Sequence, residues 1–142
     1  MKKIIILILL MPSISFGVTA DEVYAECLNQ GIEHPEIVTA QAVQETGWFK
    51  CTKCSMRVNN IFGYYYKGSY IEFDKWQDGV SYYKKWQDNH YKGQDYYDFL
   101  ECLWVASDGT CVRYARDPEY KNKVSSIVKK YYPGWVASYS KL

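Results

Sequence analysis

The sequence predicts a mainly helical (mainly α, α+β) domain with one small hairpin or irregular lobe. Three observations carry this. Apolar residues recur at helical spacing in several segments, among them Trp76, Val80, Tyr83 and Trp86. Helix start and stop signals bracket those segments, as with Pro35 and Gly47. Between Cys51 and Phe73 the helical period is lost, and Asn59, Asn60, Gly63 and Gly68 mark turns.

The first residues read as a leader rather than as fold. Met1-Lys2-Lys3 is basic, Ile4 to Met11 is apolar, and Pro12-Ser13 breaks the run. Small residues follow at Ser15 and Gly17 and at Val18-Thr19-Ala20, so cleavage is expected after Gly17 or Ala20. An uncleaved anchor would need about 20 apolar residues, more than this run offers. A lipid-modified cysteine is not expected either, because Cys27 lies well downstream. With the leader taken as residues 1–20, residues 21–142 form one domain, destined for the periplasm or the exterior.

Within that domain the first helix is expected over Asp21 to Gln30, ended by Gly31. The second opens at His34-Pro35-Glu36, buries Ile37, Val38, Ala42 and Val43, and ends at Gly47. Tyr64-Tyr65-Tyr66 and Tyr70-Ile71-Glu72-Phe73, around Lys67-Gly68, predict a hairpin. A third helix is expected from Asp74 to His90, with Asp74 as its N-cap. Asp95 caps a fourth, carrying Phe99, Leu100, Leu103 and Trp104. Asp117-Pro118-Glu119 starts the last, which continues through Tyr131 until Pro133-Gly134 stops it.

Once Lys2 and Lys3 are removed the net charge is about −1, which leaves no electrostatic footprint for nucleic acid. The chain has 5 cysteines, and an exported protein permits disulfides. Cys102 and Cys111 flank a Gly-containing turn and are the preferred pair. Cys51 and Cys54 could close a short loop, or either could join Cys27; the odd count leaves a thiol over. A redox Cys51-x-x-Cys54 or half of a zinc site are the sharper readings. His34 and His90, the only histidines, do not supply the second ligand pair a zinc site needs, so no metal is expected.

The chemistry centres on Glu45. It stands near the end of an apolar helix, with Val43, Trp48 and Phe49 close by. Apolar surroundings raise a carboxyl pKa and suit it to proton donation near neutral pH. The chain also holds 15 tyrosines, and aromatic platforms suit the apolar faces of sugar rings. Tyr64, Tyr65 and Tyr66 are expected on a cleft wall, with Trp48 at its edge or in the core.

Four words then stand in order over residues 24–130. Gln44-Glu45-Thr46-Gly47 is followed by Asn59-Asn60-Ile61-Phe62-Gly63. Phe73-Asp74-Lys75-Trp76 with Val80-Ser81-Tyr82-Tyr83 comes next, and Tyr114-Ala115-Arg116-Asp117-Pro118-Glu119-Tyr120 closes the series. Together these resemble the glucosaminidase domain family, which is mannosyl-glycoprotein endo-beta-N-acetylglucosaminidase-like and part of the wider lysozyme-like group. The resemblance implies a lysozyme-like fold and an exported peptidoglycan hydrolase. It would cut the β-1,4 bond after N-acetylglucosamine, without a cofactor and as a monomer, with glycan strands as its partner. The family's catalytic Glu falls on Glu45, its cleft tyrosine on Tyr114 and a second tyrosine on Tyr120. Asn59 and Asn60 shape the loop, and Asn60 is a candidate for sugar contact.

A second acid is less clearly marked. The short lobe offers Glu72, Asp74 and Asp78. Glu72 is the best placed, while Asp74 and Asp78 read as a helix N-cap and a solvated first-turn residue. The substrate's 2-acetamido group could also replace a protein nucleophile. Two other functions fit the same residues. A lytic transglycosylase would share the helix-end Glu but close the muramyl 6-hydroxyl onto the anomeric carbon. A wall-glycan-binding protein would keep the fold without turnover.

Overall fold

The structure is a computed structural model and describes residues 17–141. Most of the expected leader therefore lies outside the described residues. Five helices make up the body: α1 (Ala20–Asn29), α2 (Pro35–Thr46), α3 (Trp76–His90), α4 (Tyr96–Glu101) and α5 (Tyr120–Tyr139). Two short antiparallel hairpins accompany them. β1 (Tyr65–Tyr66) pairs with β2 (Ser69–Tyr70), and β3 (Trp104–Val105) with β4 (Cys111–Val112). This is the mainly helical, lysozyme-like architecture expected.

α2 is the central helix and packs against both α1 and α5. It is buried on nearly every side, polar residues included: Ile37, Val38, Ala40, Ala42 and Val43 are joined by Thr39 and Gln41. Pro35 stands at its start, where the missing N–H costs nothing. Its end is a tight left-handed turn. Gly47, Trp48 and Phe49 have φ of 55°, 62° and 59° in succession. Only the first is a glycine, so the next two carry strain of about 1–2 kcal/mol each. Hydrogen bonds hold them there: the Trp48 N–H donates to the Val43 carbonyl and the Phe49 N–H to Thr46 Oγ1.

The irregular lobe between α2 and α3 is tied together by two asparagines. Asn59 Nδ2 donates to the carbonyls of Phe73 (2.9 Å) and Asp74 (3.1 Å). Asn60 is fully buried; its Nδ2 donates to the carbonyls of Tyr64 and Ile71, and its Oδ1 accepts from the Tyr64 N–H. The hairpin turns at Lys67-Gly68, both at positive φ, as a two-residue turn of right-handed strand twist requires. It is shorter than the sequence suggests, because Ile71 to Phe73 run on as loop held by the asparagines.

Three boundaries differ from expectation. Asp74 does not cap α3, which starts at Trp76 with Lys75 in the cap position. α4 ends at Glu101, so Leu103 and Trp104 are not helical; the Cys102–Cys111 disulfide and the turn at Gly109 fold Trp104 back as a strand. α5 does not stop at Pro133-Gly134 but continues to Tyr139. An internal proline costs about 3 kcal/mol. Burial of Trp135 and packing of Tyr132, Trp135 and Tyr139 around Tyr24 of α1 offset it.

At the other end of the described chain, Thr19 caps α1. Its Oγ1 accepts from the Glu22 N–H and its N–H donates to the Glu22 carboxylate.

Candidate active site

Glu45 occupies the last turn of α2, immediately before the left-handed turn. The position follows from the helix stop: Gly47 fixes where α2 ends, and the carboxyl two residues earlier faces the lobe. Gly63 lies against it. With φ of 68°, Gly63 is in the left-handed region, and a Cβ added there would stand 3.2 Å from Glu45 Oε2. Glycine is therefore needed twice over, for conformation and for room.

Burial raises the Glu45 carboxyl above the ordinary carboxylate range, and the neighbouring Tyr120 hydroxyl opposes that shift. The carboxyl opens onto a cleft of about 490 Å³ between the lobe, α3 and the segment before α5. Tyr65 and Tyr66 of β1 form an exposed rim, 64% and 63% accessible. Tyr64, Tyr82, Trp86 and Tyr114 supply further aromatic wall. Tyr64 Oη is buried and has no hydrogen-bond partner among the described residues, so Tyr64 offers the cleft its ring rather than its hydroxyl. Arg116 brings the positive charge. Among the described residues lining this cleft, Glu45 is the one carboxylate.

A larger groove of about 630 Å³ lies beside Trp48, Phe49, Tyr131 and Trp135. It is aromatic, but its carboxylate, Asp21, is exposed, whereas Glu45 is half-buried in the wall of the other cleft. Size alone does not choose between the two grooves; the acid does.

Comparison with protein families matches residues 20–133 to the glucosaminidase family, described as mannosyl-glycoprotein endo-beta-N-acetylglucosaminidase. The chain belongs to the glucosaminidase family. Its members are glycoside hydrolases acting on cell-wall glycan, and the matched span includes every residue of the cleft. No curated protein and no solved structure matches the chain.

On this glucosaminidase domain the residues singled out by sequence divide into three groups. Glu45, Tyr64, Tyr65, Tyr66 and Tyr114 meet in the cleft. Tyr114 packs against Trp86 and stacks on Tyr120, at centroid distances of 5.6 and 5.7 Å. Its hydroxyl, buried and facing the Glu45 charge, is held well above the usual tyrosine range. Tyr120 lies behind the cleft, buried at the start of α5 and in contact with Glu45 from the protein side.

The remaining residues sit elsewhere. Asn60 has spent its amide on backbone and is fully buried, which leaves it no face for a sugar. Trp48 belongs to the larger groove, edge-on to Tyr131 at 4.4 Å. Glu72 is exposed and does not line the cleft, whereas its neighbour Ile71 does. Asp74 and Asp78 also lie outside it.

Sequence reasoning missed Arg116, Tyr82 and Trp86 as cleft residues. Tyr82 and Trp86 lie four apart on α3, so one helical face serves both core and cleft. The position of Arg116 within the closing motif was the available signal.

Proposed function

We propose that this glucosaminidase-family protein is an exported peptidoglycan hydrolase with Glu45 as general acid. It cleaves the β-1,4 bond on the reducing side of N-acetylglucosamine. The observation that carries this reading is a single half-buried carboxyl, pushed upward by desolvation, facing an open aromatic cleft. In its protonated form, Glu45 gives its proton to the glycosidic oxygen as the C1–O bond breaks. The leaving sugar departs with that proton as a free hydroxyl.

With no second carboxylate among the described cleft residues, the substrate's own 2-acetamido carbonyl oxygen is the nucleophile at C1. Water then opens the resulting ring, and the Glu45 carboxylate takes the proton from that water. The tyrosine wall supports sugar rings by stacking. Arg116 suits the carboxylates of the lactyl-peptide arm of muramic acid.

Export rests on the basic and apolar leader pattern and on the disulfide between Cys102 and Cys111. The test is mass spectrometry of purified peptidoglycan digested with the mature protein. New reducing N-acetylglucosamine ends are expected. 1,6-Anhydro-muramyl ends would make the protein a lytic transglycosylase. Binding without products would make it a wall-glycan binder.

A further inference from the structure

The five cysteines divide by environment. Cys102 and Cys111 are joined. Cys27 is sealed in the core at 0% exposure, and burial pushes its thiol up to about 12, so it is inert. It is the thiol that the odd count leaves over. Cys51 and Cys54 are free, partly exposed and outside the catalytic cleft.

The chain holds these two in one tight turn. Cys51 is tied back to the end of α2, its N–H donating to the Thr46 carbonyl at 3.3 Å. Cys54 is tied forward, in the cap position of a short 3₁₀ turn over Ser55–Val58, where its carbonyl accepts from the Arg57 N–H at 3.3 Å. Ser55, next to it, is 1% exposed, and its carbonyl accepts from the Asn60 N–H. Only Thr52 and Lys53 lie between the two cysteines, and both are exposed. Across the turn the Cys54 N–H donates to Cys51 Sγ at 3.1 Å, and Cys54 Sγ donates to the Cys51 carbonyl at 3.8 Å. The two sulfurs therefore play opposite parts. Cys51 Sγ accepts, which suits a thiolate, and Cys54 Sγ donates, which requires a thiol.

Charge favours the same division. Lys50, Lys53 and Arg57 stand in this segment, and no Asp or Glu occurs between Glu45 and Glu72. The Cys54 thiol, and after it the N–H groups of Lys53 and Cys54, hold the Cys51 thiol below the ordinary cysteine range. Desolvation, and after it the Cys51 thiol, hold Cys54 above that range. Among the described residues no further His, Cys, Asp or Glu gathers with them into a metal-binding group. The pair is left with the chemistry of two thiols.

We propose that Cys51 and Cys54 form a thiol–disulfide exchange site for low-molecular-weight disulfides, with Cys51 as the attacking and Cys54 as the resolving cysteine. The Cys51 thiolate attacks one sulfur of an external disulfide, RS–SR. A Cys51 Sγ–SR bond forms, the external S–S bond breaks and RS⁻ leaves. Cys54 then gives up its proton, attacks Cys51 Sγ and displaces the second RS⁻. The two RS⁻ ions take up the two protons that the cysteines have lost. The pair is oxidised by two electrons, the external disulfide is reduced to two RSH, and two RSH reverse the sequence. The ring so closed is short. It constrains the unfolded chain less than the bond between Cys102 and Cys111, nine residues apart, and is the easier of the two to reopen. None of this depends on the hydrolase reading.

The test equilibrates the folded, full protein in buffers of reduced and oxidised glutathione, traps free thiols by alkylation and reads each cysteine by peptide mass spectrometry. A reversible Cys51–Cys54 bond is expected, opening at a more oxidising glutathione ratio than Cys102–Cys111. Cys54→Ser should retain glutathione on Cys51 as a mixed disulfide. It should acquire it about tenfold faster than Cys51→Ser acquires it on Cys54. The inference is overturned if Cys51 and Cys54 stay unjoined at every ratio, if either joins Cys27 instead, or if their bond outlasts Cys102–Cys111 under reduction. Equal rates in the two serine variants, or a faster reaction in Cys51→Ser, overturn the assignment of roles.

Discussion

Gly63→Ala isolates the fit between the lobe and the acid. At φ of 68° an alanine costs about 1 kcal/mol relative to glycine, equivalent to about 4 °C in Tm for a chain of this size. Its Cβ would also stand 3.2 Å from Glu45 Oε2, so the carboxyl must give by a few tenths of an ångström. If a misplacement of about 1 Å costs about a hundredfold in rate, a few tenths cost about threefold to tenfold in kcat. Gly47→Ala provides the comparison. Gly47 has φ of 55°, but an added Cβ there meets nothing within 4 Å. Both variants should lose similar stability in thermal melts. In a peptidoglycan solubilisation assay only Gly63→Ala should lose the larger share of kcat. Equal kcat losses in the two, or none in Gly63→Ala, would refute the reasoning that Gly63 sets the position of Glu45.

Three further outcomes are expected. A carboxyl raised by burial binds its proton more tightly in the folded than in the unfolded chain, so Glu45 costs stability as pH rises above the ordinary glutamate range. Glu45→Gln should therefore melt higher than wild type at pH 7, with the difference shrinking as pH falls through that range. Arg116→Ala should raise KM about threefold to tenfold for peptidoglycan carrying peptide stems, as loss of a solvent-exposed ionic contact of about 1 kcal/mol implies. It should have less effect on uncharged N-acetylglucosamine oligomers. Replacing Cys102 and Cys111 by serine frees the β3–β4 hairpin and should cost about 2–3 kcal/mol, read as a lower midpoint in denaturant.

The elements visible in the sequence were those with local chemistry. Pro35 and Gly47 announce α2 and with it the place of Glu45. Cys102 and Cys111 flank a glycine turn, and the structure joins them. Lys67-Gly68 marks the hairpin tip. What escaped depends on distant partners. Pro133 reads as a stop, but Tyr24, more than a hundred residues earlier, holds the last turns of α5 in place. Leu103 and Trp104 continue a helical spacing that the disulfide overrides. Asn60 looks like a ligand residue because an amide in a loop carries no sign of which backbone groups will consume it. Gln41 is a polar residue among apolar neighbours, and only the positions of Tyr83 and Tyr120 give it partners. Arg116 has no periodic context, and apart from its place in the closing motif only the fold brings it to the cleft.

The central claim is that Glu45 delivers the proton. The most direct measurement compares wild type with Glu45→Gln on purified peptidoglycan, reading both turnover and binding. Gln keeps the shape and removes the acid, so kcat should fall by about a hundredfold to ten-thousandfold while binding to the glycan is retained. Turnover by Glu45→Gln at the wild-type rate would contradict the account and move the chemistry to another residue.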